Sequence, residues 1–363
     1  MNKEKIFIAS KIFYNNSWID NSAIITNNGI IEKIIPTKQL SEHQKNIAIQ
    51  SFYIVPAFID VQIYGAYGNL LVSNPSVKSI ESIVEYSKKG GAFYCMPTIP
   101  TIDLDTIYKS IDAVKKYQKK QEGVLGLHIE GPWINPLKKG AHVNSFIHKP
   151  RLFDVMNLLE YGKDVIKIIT LAPEVCNLQI LEKIKDYGII ISAGHSNATF
   201  SEATNAFNSH VSMSTHLFNA MSQLNSREPG LVGATMQHSK AMASIIPDGI
   251  HVDYTSVEIA KKIMKERLFI ITDAVTNCNK GYYRHQLDGD KYIANETLSG
   301  SALTMLQAVK NVIQHCNINL EDALQMASSI PAKLLGMENK IGKLEEGLPD
   351  RFLLLNQELE LVN

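Results

Sequence analysis

The chain has 363 residues, 45% of them hydrophobic and 20% charged, an ordinary composition for a globular protein with a large core. Lysine plus arginine and aspartate plus glutamate both total 36, so the formal net charge is zero and no basic excess points to nucleic acid or an anionic membrane. The start, MNKEKIFIASKIF, lacks a signal-peptide h-region, no apolar run is long enough to span a bilayer, and Cys95, Cys176, Cys278 and Cys316 form no CxxC, so a reduced cytoplasmic protein is expected.

In chain order, residues 5–13, 18–26 and 30–35 are β-rich runs. Asn15-Asn16-Ser17 and Asn27-Asn28-Gly29 separate them as hairpin turns. From Ile54 the pattern changes. Apolar runs near 54–61, 92–97, 124–129, 165–171, 188–193, 211–215, 241–246 and 268–272 alternate with amphipathic, helix-length segments. Buried parallel strands alternating with helices predict an α/β fold, a (β/α)₈ TIM barrel. Helices are predicted near 303–315 and 320–328, and Phe352 to Leu355 is predicted to return to the N-terminal strands. The expected organisation is a small β-sandwich from residues 1–52 and 336–363, flanking a hydrolase barrel over 53–335.

Polar residues close the eight runs: Gln62, Thr98, Glu130, Glu174, His195, His216, Asp248 and Asp273. In a barrel these strand ends meet at one face, where active sites lie. Glu130, His195 and His216 make the best metal-ligand set, since imidazole and carboxylate suit Zn²⁺ or Fe²⁺ and three protein ligands leave a position for water. A carboxylate at Asp273 beside that water can take its proton and hand it to a leaving amine. Taken alone, Asp273 fits a helix N-cap equally well. His142, in the loop KKGAH, can donate to a carbonyl that gains negative charge. Arg227 in NSREPG and His251 in PDGIH can clamp a phosphate. Asn219 and Ala220 follow His216 closely enough to touch the same ligand. His128, two residues before Glu130, reads as a packed histidine or as one that supports a metal ligand from behind. P-loop, GxGxxG and GxSxG patterns do not occur.

The blocks PAFIDVQIYG, GLHIEGPWINPLKKGAH, TLAPE, SAGHSNAT, STHLFNAM, REPGLVGA, PDGIHVD, TDAV and LSGSALTM run in order from residue 56 to 305. Together they resemble the N-acetylglucosamine-6-phosphate deacetylase family of the amidohydrolase superfamily. The resemblance implies a TIM barrel with a small β-sandwich from both chain ends, and deacetylation of an amino-sugar phosphate. It implies Glu130, His195 and His216 as ligands of one divalent metal, Asp273 as general base and acid, and His142 on the acetyl carbonyl. It implies substrate contacts from Ala141, Asn219, Ala220, Arg227, His251, Leu298, Ser299 and Gly300. It also implies a homodimer in which Arg227 reaches the neighbour's site.

Two-metal amidohydrolases carry HxH after the first strand; here the triplet is Gln62-Ile63-Tyr64, so a single metal is expected. Tyr64 departs from the family pattern and is expected to narrow the pocket and alter sugar preference. Pro349-Asp350-Arg351 also departs from it and leaves the pairing of the closing strand open. The alternatives are a deacylase of another N-acyl amino sugar, a galactosamine phosphate or an unphosphorylated sugar, and a non-catalytic sugar-phosphate-binding homologue.

Overall fold

Strands of near-continuous apolar sequence need cover on both faces, and a ring of helices supplies it. The computed structural model describes residues 4–294 and 296–362; residues 1–3 and 363, at the outer ends of the expected small β-domain, and residue 295 lie outside the described residues. The first strands are β1 (Glu4–Tyr14), β2 (Ser17–Asn27), β3 (Ile30–Pro36) and β4 (Ile49–Pro56). The barrel follows with β5 (Phe58–Ile63), β6 (Ala92–Pro100), β7 (Leu127–Glu130) and β8 (Ile166–Leu171). It continues with β9 (Ile190–Ala193), β10 (Val211–Ser214), β11 (Met242–Ile245) and β12 (Leu268–Ile270). These eight strands form one sheet in sequential order, every neighbouring pair parallel. Its two edges meet where Tyr64 N donates to Ala274 O at 2.9 Å and Asp273 N donates to Gln62 O at 3.0 Å. The predicted eight-stranded barrel is therefore present and nearly closed.

Helices of the expected period cover it. In Leu104–Gln118, Asp103 accepts from Thr106 N at 2.9 Å and caps the first turn, while Ile107, Ile111 and Val114 turn onto the strands. The predicted late helices are Met305–His315 and Leu320–Ala327. Between them and β12 lies an antiparallel trio, β13 (Gln286–Asp288), β14 (Lys291–Ala294) and β15 (Thr297–Ser301).

The last strand, β16 (Phe352–Leu355), pairs antiparallel with β4 and completes a five-stranded sheet in the order β16-β4-β1-β2-β3. Asn15 and Asn16 have φ of 49° and 58°, the two left-handed positions that a two-residue β1–β2 hairpin demands. Apolar side chains pack on both faces of this sheet, Phe7 and Ile24 with Leu344 on one, Ile6 and Ile25 with Leu40 on the other. The pairing left open by Pro349-Asp350-Arg351 runs from Phe352 opposite Pro56 to Leu355 opposite Tyr53, and Arg351 just before it bonds Glu122 Oε2 at 2.8 Å and lies 4.6 Å from the centre of the Phe93 ring.

One predicted run is really two strands. The apolar stretch 54–61 breaks at Ala57, where β4 leaves the small sheet and β5 enters the barrel. Gln62 therefore lies inside a strand rather than after it, and so does Thr98.

Asp60 binds the barrel's closing seam. Its buried carboxylate accepts from Thr272 Oγ1 at 2.5 Å, Thr272 N at 3.3 Å and Gln62 N at 3.2 Å. Burial outweighs these bonds and pushes its pKa up to about 6 from 3.8. The folded chain then holds more protons than the unfolded chain across that window, so this group's contribution to stability falls as pH rises through it. Compared with Asp60→Asn, urea melts of the unaltered chain should lose on the order of 3 kcal/mol between about pH 3 and pH 7. Parallel pH profiles for the two proteins would count against this.

Candidate active site

Glu130 is the last residue of β7, and His195, His216 and Asp273 lie just beyond β9, β10 and β12. The latter three have φ of 48°, 35° and 55°, a left-handed backbone that side chains rarely adopt and that concentrates at functional sites. Gly194 makes the approach of β9 possible, since a Cβ there would stand 2.7 Å from Thr170 Cγ2 and 3.0 Å from Thr215 Cβ.

The buried donors of Glu130, His195 and His216 converge, with one ligand atom from each lying within 4.8 Å of the others. Glu130 Oε1 is 3.1 Å from His216 Nε2 and 3.4 Å from His195 Nε2, and the two Nε2 atoms are 3.2 Å apart. His195 Nδ1 donates to Lys138 O at 2.9 Å, which leaves its Nε2 as a lone pair. The His195 lone pair, His216 Nε2 and the Glu130 carboxylate face one another across a few ångströms, the spacing of ligands around a divalent cation. The donor set thus fits the metal expected from sequence.

Around this centre the polar groups are interlinked. Gln62 Nε2 lies 2.7 Å from Asp273 Oδ1, 3.2 Å from Glu130 Oε1 and 2.8 Å from Tyr64 Oη. Tyr64 in turn donates to Glu130 Oε2. His142 Nδ1 accepts from Thr101 N at 3.3 Å, so Nε2 carries the proton and donates to Glu130 Oε2 at 3.1 Å. Burial opposes the charge on Glu130, but the imidazole of His195, with His142 and His216 beside it, holds its carboxyl well below the usual range. Asp273 goes the other way. Burial raises it far above the usual range, and the neighbouring carboxylates Glu130 and Asp60 add to that against the pull of His216. Two carboxyl groups at one site thus have opposite tendencies, the pattern of a charged ligand beside a proton carrier.

Every site residue anticipated above, Arg227 excepted, borders one cavity of about 310 Å³. Glu130, His195, His216, Asp273 and His142 share it with Ala141, Asn219, Ala220 and His251. Leu298, Ser299 and Gly300 reach it because β15 lies against the chain after β12, with Ser301 N donating to Asp273 O at 3.0 Å. Gly300, at φ 65°, allows this contact, as a Cβ there would lie 2.8 Å from Asp273 O. Arg227 is exposed and does not border the cavity of its own chain. His251 is held by Asp248, whose Oδ2 lies 2.6 Å from its Nδ1.

Glu174 and His128 have other partners. Glu174 accepts from Asn135, Ser196 and Asn197 and ties three loops together outside the cavity. His128 is enclosed in the barrel as expected, 2.7 Å from Thr170 Oγ1, and burial lowers it to about 4, which keeps it neutral. Sequence reasoning missed Tyr283 and His285, which border the cavity from the loop before β13. Tyr283 donates to Thr101 O at 2.7 Å, and Thr101 holds His142. No spacing in the sequence signals this.

The amidohydrolase family profile matches residues 53–357. N-acetylglucosamine-6-phosphate deacetylase of Haemophilus influenzae is 35% identical over 90% of this chain and 88% of its own length. The chain belongs to this deacetylase family of amidohydrolases. N-acetylgalactosamine-6-phosphate deacetylase of Escherichia coli O157:H7 is 28% identical over 93% of this chain and 92% of its own length. The crystal structure of N-acetylglucosamine-6-phosphate deacetylase from Pasteurella multocida superposes with a TM-score of 0.92 at 30% identity, covering 99% of this chain and 97% of that one. The family accounts for the barrel, the sheet from both chain ends and the metal-ligand cluster together. No helix among the described residues is long and apolar enough to cross a membrane.

Proposed function

We propose that this chain hydrolyses N-acetyl-D-glucosamine 6-phosphate to D-glucosamine 6-phosphate and acetate. The observation that carries this reading is the meeting of Glu130, His195, His216 and Asp273 in one cavity of a chain 35% identical to a deacetylase of that name. Glu130, His195 and His216 hold one divalent cation, Zn²⁺ first and Fe²⁺ as the alternative, which when bound acidifies water and polarises the amide carbonyl.

The residues of the chain handle the protons. Asp273 takes one from the attacking water and delivers it to the departing nitrogen, since an amide anion leaves poorly. His142 donates a hydrogen bond from Nε2 to the carbonyl oxygen as negative charge builds there, keeping its own proton. Ala141, Asn219, Ala220 and the Leu298-Ser299-Gly300 segment contact the sugar phosphate. His251 lies within the cavity, whereas Arg227 is exposed outside it, which supports a homodimer in which Arg227 completes the neighbour's phosphate site. The expected boundary at 52/53 falls inside β4, which stays in the small sheet to Pro56; the two chain-end segments, to Pro56 and from residue 336 on, act as one unit beside the hydrolase barrel.

Acetate release from the glucosamine compound should be abolished by a strong chelator and restored by added Zn²⁺. Arg227→Ala should raise KM for the phosphorylated sugar at least about 10-fold and leave the plain sugar unaffected, as befits loss of a charge-assisted contact. Equal effects on both sugars would remove Arg227 from phosphate recognition. N-acetylgalactosamine 6-phosphate is the second reading, favoured by the 28% identical relative and by Tyr64 on the cavity wall. A higher kcat/KM for that epimer decides for it.

A further inference from the structure

Glu130 uses its two oxygens differently. Oε1 faces His216 Nε2 at 3.1 Å and His195 Nε2 at 3.4 Å. Oε2 is turned away from them and accepts from the Tyr64 hydroxyl and from His142 Nε2 at 3.1 Å. A carboxylate oxygen has two lone pairs, so these donors occupy both. Gln62 Nε2, 2.8 Å away, donates to the Tyr64 oxygen and leaves the phenolic proton to point at Glu130. Tyr64 is 6% exposed and packed in the core, so its ring has little freedom to move away.

We propose that Tyr64 is a positioning residue of the cation site, holding Oε2 of Glu130 so that the carboxylate offers only Oε1 to a cation shared with His195 and His216. This rests on the metal-hydrolase reading above. The hold matters most during turnover. When His142 donates to the carbonyl of a substrate, it releases Oε2, and Tyr64 is then the donor that keeps the carboxylate from turning. Phenylalanine at this position would keep the ring and lose only that donor.

The test compares metal-free unaltered chain, Tyr64→Phe and Tyr64→Leu. Zn²⁺ affinity is measured by chelator competition, the visible spectrum of the Co²⁺-loaded protein reads the number of ligand atoms, and thermal unfolding of the metal-free chains reports packing. Tyr64→Phe should bind Zn²⁺ 10–100-fold more weakly, the range for loss of a hydrogen bond to a metal ligand. Its Co²⁺ absorption should weaken as the second oxygen of Glu130 enters the coordination sphere, with metal-free unfolding unchanged. Unaltered affinity and spectrum in Tyr64→Phe overturn the proposal, even if Tyr64→Leu is impaired, because packing alone is then at work. A loss of affinity matched by a loss of metal-free stability overturns it for the same reason. If the unaltered chain binds no metal, the metal reading itself falls, an outcome distinct from both.

Discussion

Asp273→Asn should lower kcat for acetate release by roughly 10²–10⁴-fold, the usual cost of removing a positioned acid-base group. The substitution is close to isosteric. Asn has the same shape and can still accept from Gln62 Nε2, now 2.7 Å from Oδ1. It also tolerates the left-handed backbone, φ 55°, that most side chains resist. Fold and metal content should therefore be retained, and only the ability to take and return a proton is lost. Because that loss affects the reaction rather than binding, KM should change far less than kcat. Turnover by the Asn variant at the unaltered rate would falsify the proton-carrier role. A parallel loss of bound metal would show instead that Asp273 helps hold the cation.

Replacing His195 or His216 by alanine should remove the cation itself. Each Nε2 faces Glu130 Oε1, and no other His, Cys or acidic group completes such a cluster among the described residues. Losing one of three protein ligands should weaken binding by more than the 10–100-fold typical of an outer hydrogen bond. Elemental analysis after dialysis should find little metal in either variant, and acetate release should drop below detection. Added Zn²⁺ at high concentration should rescue little, because two remaining protein ligands hold a cation far more weakly than three. Full metal content in both variants would overturn the ligand assignment.

The larger features were legible because they are written locally. Eight apolar runs separated by amphipathic segments predicted the barrel, and each run contains or overlaps a strand of it. Asn15-Asn16 and Asn28-Gly29 marked hairpins because those residues accept positive φ, and all four have it. The break at Ala57 was not legible. Both flanking strands are apolar, so periodicity has no contrast at the point where the chain leaves one sheet for another. Glu174 was a misleading cue for a similar reason, since a strand-end acid that ties loops together looks in sequence like one that borders a cavity.

Sequence alone determined the fold class, the strand-end set of Glu130, His195, His216 and Asp273, and the departure at Gln62 and Tyr64. Those depend on residue type, local period and position along the chain. Tertiary structure alone decided how the set is connected. Tyr64 meets Glu130 across 66 positions, Gln62 meets Asp273 across 211, and Tyr283 meets Thr101 across 182. Such contacts arise only when the barrel closes and brings distant strand ends within hydrogen-bond reach, and no local pattern encodes which lone pair each donor will take.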